Sequence, residues 1–469
     1  MSEPDGSVIL NDAHSELNPT RVARLVRPAR VDDVVAAVRS AAAEGRSVSI
    51  SGSRHAMGGQ QFVTDGVQLD MRGMTRILGL DPDLGIVEAE AGIDWAELID
   101  GLLELQAGRA IQWGIRQKQT GSDHLSLGGA LAADVHGRGL RQRPIVADVE
   151  SFSLVDPTGE VREISRESDP ERFGLVIGGY GLFGAVTAVR LRLSPRRILR
   201  RVVTVLTVDE LMAAFDARIA DGYLFGDCQF SIDERSPDFL RRGIFSCYGP
   251  DDQATAIPPG QRALSQADWG KLLYLTHVDR AAAAQAYIAH YTATSGQLYW
   301  SDLHQRSEYL AGYHATLDRA TRATTAGSEI ITEIYVPRSA LLAFMGDAAE
   351  ALRDGHPPVV YGTIRLVERD EEAVLAWARE PWACIIFNLH TTHDETGMAG
   401  SAYAFMTLID LARAHNGSYY LTYHRFATPD QLLACHPRFR EFLAAKRRLD
   451  PDERFASDWY RHYRTALGA

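Results

Sequence analysis

Cysteine is scarce. Cys228, Cys247, Cys384 and Cys435 are the full set, widely scattered. No CxxC pair or tight Cys/His cluster occurs, so neither a metal site nor a redox dithiol is expected. Reduced, mostly buried thiols fit a cytoplasmic protein. Positive charge is also in deficit: 49 Lys and Arg face 61 Asp and Glu, a formal net charge of −12. That balance disfavours nucleic acid or an anionic membrane as the main partner, since both reward clustered cations. No run of about 18 apolar residues is present, so no membrane span is expected. The stretch from Met1 to Pro19 is polar and lacks the apolar centre of a signal peptide. Repeats and low-complexity tracts are missing as well. What remains is 45% hydrophobic and 23% charged, the balance of a globular chain. At 469 residues it is too long for one ordinary core, and two or three lobes are expected.

Glycine is where the chain is rich. The alternating run Ser47-Val48-Ser49-Ile50 reads as a strand and leads into Ser51-Gly52-Ser53-Arg54-His55-Ala56-Met57-Gly58-Gly59-Gln60-Gln61-Phe62. Glycine permits positive φ and brings bare N–H groups close to a ligand. Successive N–H groups in such a turn make a concavity suited to phosphate. Taken alone the loop also reads as an ordinary glycine-rich turn with a chance histidine. A second loop runs Gly121-Ser122-Asp123-His124-Leu125-Ser126-Leu127-Gly128-Gly129-Ala130-Leu131-Ala132-Ala133-Asp134-Val135-His136-Gly137. A third runs Gly178-Gly179-Tyr180-Gly181-Leu182-Phe183-Gly184-Ala185-Val186-Thr187.

Around these loops helices and strands alternate, which predicts an α+β or α/β domain. A helix is expected from Arg27-Pro28 to Gly45, on the spacing of Val31, Val34, Val35 and Val38. Asp94 with Glu97 predicts a capping box before the stripe Leu98, Leu102, Leu105. A hairpin is expected across Asp156-Pro157-Thr158-Gly159. The texture changes from Arg200, where aromatic-rich strands begin. Later strands are expected at Glu329 to Val336, Val359 to Val367 and Ala383 to His390. Helices are expected at Arg338 to Arg353 and Glu371 to Arg379.

In this order and spacing the three loops resemble the FAD-binding domain of the vanillyl-alcohol oxidase and p-cresol methylhydroxylase (PCMH) superfamily. The resemblance implies an α+β protein of three parts. They are a two-lobed PCMH-type FAD-binding domain over 1–195, an α+β substrate or cap domain with a large antiparallel sheet over 196–417, and a segment over 418–469 that returns to the FAD domain. By the same resemblance the cofactor is FAD, held by Ser51, Gly52, Ser53, Arg54, His55, Ala56, Met57, Gly58 and Gln61 of the first loop. Gly121, Ser122, Ser126, Gly128, Gly129, Ala132, His136 and Gly137 of the second loop follow the ring and pyrophosphate. Gly184 of the third also binds the cofactor, and Val186 and Thr187 meet the adenine side. Family members with a histidine at the position of His55 often join it to the flavin, so a covalent link there is expected. No cysteine lies in the first 195 residues to add a second bond. His124 is either a flavin contact or a hydrogen-bonded structural histidine.

Small side chains cannot move protons, so acid–base groups are sought later in the chain. Strand alternation places Tyr361 with Arg365, and Asn388 with His390, on common faces. Tyr423 and His424 lie in a stretch dense with titratable groups. These six are the catalytic candidates. The implied activity is that of an FAD-dependent oxidase or dehydrogenase. It would oxidise a CH–OH group of a sugar, polyol or secondary metabolite by hydride transfer to flavin N5. Oxygen or another acceptor would reoxidise the flavin, and the protein would be a monomer or homodimer. Alternatives are a flavoenzyme acting on another bond (C–N oxidation, oxidative cyclisation, double-bond reduction) and a flavin-binding protein without turnover.

Overall fold

The computed structural model describes residues 6–254, 256–353 and 357–468. A short antiparallel pair, Val8–Leu10 with Thr20–Val22, comes first and is followed by a three-stranded parallel sheet in the order Arg24–Val26, Val67–Asp70, Val48–Ser51. Helix Val31–Ala43 packs on it through Val34, Ala37, Val38 and Ala41. The helix is shorter than the expected span from Arg27. Asp33 accepts from the Arg30 and Ala29 amides at the start, and Gly45 at φ 67° ends it.

Beside it lies a six-stranded antiparallel sheet centred on the long strand Ala185–Pro195, with Val149–Val155 and Ile86–Glu90 on either side. Trp95–Leu105 is a helix with both halves of the Asp94/Glu97 capping box formed. The hairpin closes as expected, with Asp156 accepting from the Thr158 and Glu160 amides. The second glycine loop contains a helix, Leu127–Ala133, capped by Ser126. The third loop docks on that helix: Gly178 and Tyr180 donate their amides to Leu131 and Ala132.

From Ile198 the strands enter one eight-stranded sheet. Its order is Leu298–Trp300, Ile198–Thr207, Arg242–Pro250, Phe225–Phe230, Val359–Val367, Trp382–Thr392, Gly327–Pro337, Ser418–Tyr419. One face is apolar, with Ile330, Ile334, Ile364, Ile385, Phe387 and Leu389 buried in the main core. Helices Leu341–Arg353 and Glu395–Ala414 lie against this sheet. The other face is polar and looks onto the glycine loops. The last segment adds Ser418–Tyr419 to this sheet, then crosses to the three-stranded one. There Val48 pairs with Phe455 and donates its amide to Arg454.

One expected helix fails, and one helix was not expected. Glu371 to Arg379 is not helical. Long-range bonds hold it instead: Val374 donates to the Gly174 carbonyl, and the buried Trp377 indole donates to Asp134 at 2.9 Å. Helix Glu395–Ala414, at 20 residues, escaped the pattern because its buried side includes Ser401, Ala404 and Ala412.

Candidate active site

A cavity of about 780 Å³ lies between the glycine loops and the polar face of the large sheet. From the first loop, Ser51 through Met57 and Gln61 line it. Arg54 sits at φ 61°, in the left-handed region that anion-binding backbone turns use. The amides of Ser53, Arg54, His55 and Ala56 donate to no group among the described residues. Gly121, Ser122, Ser126, Gly128, Gly129, Ala132 and His136 line the cavity from the second loop, Gly184 and Val186 from the third. Lys118, fully buried, shapes the second loop by donating to the Gln119 and Ser122 carbonyls and pairing with Asp123 at 2.9 Å.

Four of the named loop residues face elsewhere. His124 is exposed and pairs with the helix cap Asp94 at 2.9 Å. Gly58 backs onto the Tyr423 carbonyl, and Gly137 onto Gln117 and Lys118. Thr187 is a sheet residue whose hydroxyl donates to the Ser153 carbonyl.

The roof of the cavity is the sheet. Its register aligns Ile331, Asn388 and Tyr361 in one row, Glu333, Ile386 and Thr363 in the next, and Tyr335, Cys384 and Arg365 in a third. Tyr361, Arg365, Asn388 and Tyr423 line the cavity. His390 shares their face but lies one step beyond Asn388. Its ring packs edge-on against His277 at 4.8 Å, outside the lining. His424 stacks on Phe426 at 5.3 Å and also lies outside the lining. Both correct the expected set of catalytic candidates.

Two carboxylates missed in the sequence dominate the roof, Glu329 and Glu333, each 3% exposed. Asn388 donates to Glu329 at 2.6 Å. Glu333 is a hub. Its Oε1 meets His136 Nε2 at 2.6 Å and accepts from the Tyr335 hydroxyl at 2.6 Å, while its Oε2 accepts from the Tyr423 hydroxyl at 3.2 Å. The Cys384 thiol also donates to Oε1, at 3.3 Å. Burial opposes ionisation of Glu333, but the charge and hydrogen bond of His136 and the bond from Tyr335 outweigh it and hold the carboxyl near 2. His136 Nδ1 lies 3.0 Å from the Gly137 carbonyl, which must accept, so the Nε2–Oε1 contact holds a further proton. Burial, then Glu333, push the Tyr423 phenol well above its ordinary value. It is therefore a proton donor to Glu333 at neutral pH. Arg365 is buried, donates Nη2 to Thr120 at 2.6 Å and, among the described residues, leaves Nε without a partner.

Residues 22–165 match the family described as FAD binding domain. Over 94% of its length the chain is 23% identical to decaprenylphosphoryl-beta-D-ribose oxidase of Mycolicibacterium smegmatis, covering 94% of that protein. Over the same share it is 24% identical to L-gulono-1,4-lactone dehydrogenase of Mycobacterium tuberculosis, covering 95% of it. A shorter match, 28% over 42% of the chain and 36% of the relative, is to cytokinin dehydrogenase 2 of Oryza sativa subsp. japonica. The chain carries, over residues 22–165, an FAD-binding domain of the vanillyl-alcohol oxidase and PCMH superfamily. It is an FAD-dependent oxidoreductase. The residues present fit that cofactor: the unpaired amides from Ser53 to Ala56 suit a pyrophosphate, and the lining runs on through all three loops. Among the described residues no helix is long and apolar enough to cross a membrane.

Proposed function

We propose that this protein oxidises a CH–OH group of a sugar, polyol or related lactone. The observation that supports the reading is the Tyr423–Glu333–His136 chain, which runs along the cavity wall from the sheet to the second glycine loop and would serve as a proton relay. The relatives that match nearly the whole chain are named for a ribose derivative and a sugar lactone, which supports a carbohydrate-like substrate.

When bound, FAD supplies the two-electron acceptor for the substrate's hydride. The rest falls to the chain. With its hydrogen donated to Glu333 Oε2, the Tyr423 oxygen keeps a lone pair to accept the substrate's O–H. That proton is drawn off through Tyr423 toward the Glu333 carboxylate, whose other oxygen is held by His136 and Tyr335. Arg365, with an unpartnered Nε beside Tyr361, is suited to steady the developing negative oxygen. Tyr361 and Asn388 orient the substrate along the sheet. His55 lines the cavity, and burial, then His14 and His124, lower its pKa to about 4. It is thus a neutral imidazole at pH 7, the form needed to bond a flavin covalently, and we assign it that link.

Anaerobic mixing with sugars, polyols and aldonolactones tests the reading, since a true substrate bleaches the flavin absorbance. If none does and a C–N substrate such as a secondary amine does, the assignment of the bond is wrong.

A further inference from the structure

The cavity continues past the relay to a second polar end that the oxidation does not use. Strand Ile198–Thr207 carries Arg201, which is 6% exposed and lines the cavity. Its register partner is Tyr248 on the next strand, and the guanidinium lies over the Tyr248 ring at 5.4 Å and the Tyr291 ring at 4.6 Å. Among the described residues the guanidinium makes one hydrogen bond, from Nη2 to Ser246 at 3.1 Å, and Nε has no partner. Among the described residues it has no ion pair. Asp227, two strands away, is already engaged by Arg138 at 3.6 Å and by the Thr363 hydroxyl at 3.2 Å. A buried guanidinium without a counter-charge is strongly unfavourable unless an anion meets it. Arginine's planar fork suits oxyanions, and the flanking rings hold it in place.

We propose that Arg201 binds an oxyanion, a phosphate or carboxylate, carried by the substrate at the end remote from the oxidised carbon. Two strands separate Arg201 from the strand of Tyr361 and Arg365. Three spacings of about 4.8 Å place the anion roughly 14 Å from the reacting end. The substrate class is therefore an elongated hydroxyl compound with an anionic tail rather than a small free polyol. This deepens the oxidative reading and rests on it for the reacting end alone.

The test is thermal denaturation of the FAD-loaded protein in potassium phosphate, potassium acetate and potassium chloride at equal ionic strength. Phosphate or acetate should raise the wild-type Tm by about 2 °C over chloride at saturation, and the more effective anion identifies the group. Arg201→Met should lose the rise, Arg201→Lys should keep part of it, and in chloride Arg201→Met should melt no lower than wild type. Should Arg201→Met fail to retain flavin, Arg201→Gln, which can still reach Ser246, serves in its place. A wild-type Tm indifferent to both anions overturns the proposal, as does an equal rise in Arg201→Met or Arg201→Gln. Flavin reduction is not read here. If no hydroxyl compound bleaches the flavin, the oxidative reading fails and the anion result stands apart from it.

Discussion

His136 and Glu333 meet at 2.6 Å across 197 residues of sequence. The histidine ends the second glycine loop, and the glutamate sits in the middle of a strand of the large sheet. Their contact joins the glycine-loop side of the cavity to its sheet roof, and the same carboxylate accepts from Tyr423 through its other oxygen.

Tyr423→Phe and Glu333→Gln should each slow flavin reduction by roughly a hundredfold, the scale of losing an acid–base group. The bound flavin spectrum should survive in Tyr423→Phe. Stopped-flow absorbance under anaerobic conditions measures both. Reduction at the wild-type rate in Tyr423→Phe would remove the relay from the mechanism.

His390→Ala and His424→Ala should leave flavin reduction within a few-fold of wild type, because neither ring lines the cavity. A hundredfold loss in either variant, with flavin content intact, would place the reacting end elsewhere.

His55→Ala should release its flavin on acid denaturation, whereas wild type should keep a fluorescent flavin band on a denaturing gel. Mass analysis of the peptide from Arg54 to Phe62 provides the check. Flavin that leaves wild-type protein wholly would rule out the link.

Acid should destabilise the fold in two stages. Burial lowers the pKa of His55, His314 and His390 from 6.5 to about 4. Between those values the unfolded chain binds more protons than the folded one, so this stability is complete above pH 6.5 and is lost as pH falls toward 4. Glu329 and Glu333 are held near 2 against an ordinary 4.5. Their contribution is present above pH 4.5 and lost toward pH 2. Tm against pH should be flat above 6.5 and fall below it.

Gly52→Ala should lower both Tm and flavin content. A Cβ there would lie 1.9 Å from the Ser126 hydroxyl, which caps the helix of the second loop. Overpacking of this kind costs about 1–3 kcal/mol. An unchanged Tm and full flavin loading would show that the two loops have room to part.

The glycine loops could be read from the chain because their demands are local: positive φ, missing side chains and a strand leading in. The faces of Tyr361, Arg365 and Asn388 followed from a two-residue period, which any strand obeys. The same rule grouped His390 with them, yet periodicity does not say where a neighbouring helix ends the cavity. Glu329 and Glu333 stand four residues apart on one strand face, a spacing visible in Glu329-Ile330-Ile331-Thr332-Glu333. Nothing local distinguishes them from solvent-facing charges. Their burial depends on His136, Asn388 and Tyr423, which arrive from distant strands and loops, and on His277 of helix Gln266–Val278. Arg201 is the sharpest case, since its isolation among Tyr248, Tyr291 and Ser246 exists only once strand pairing and helix Arg280–Ala293 have closed around it. Backbone requirements are written residue by residue, whereas the charge state and partners of a buried group are set by what the whole sheet brings within hydrogen-bond reach.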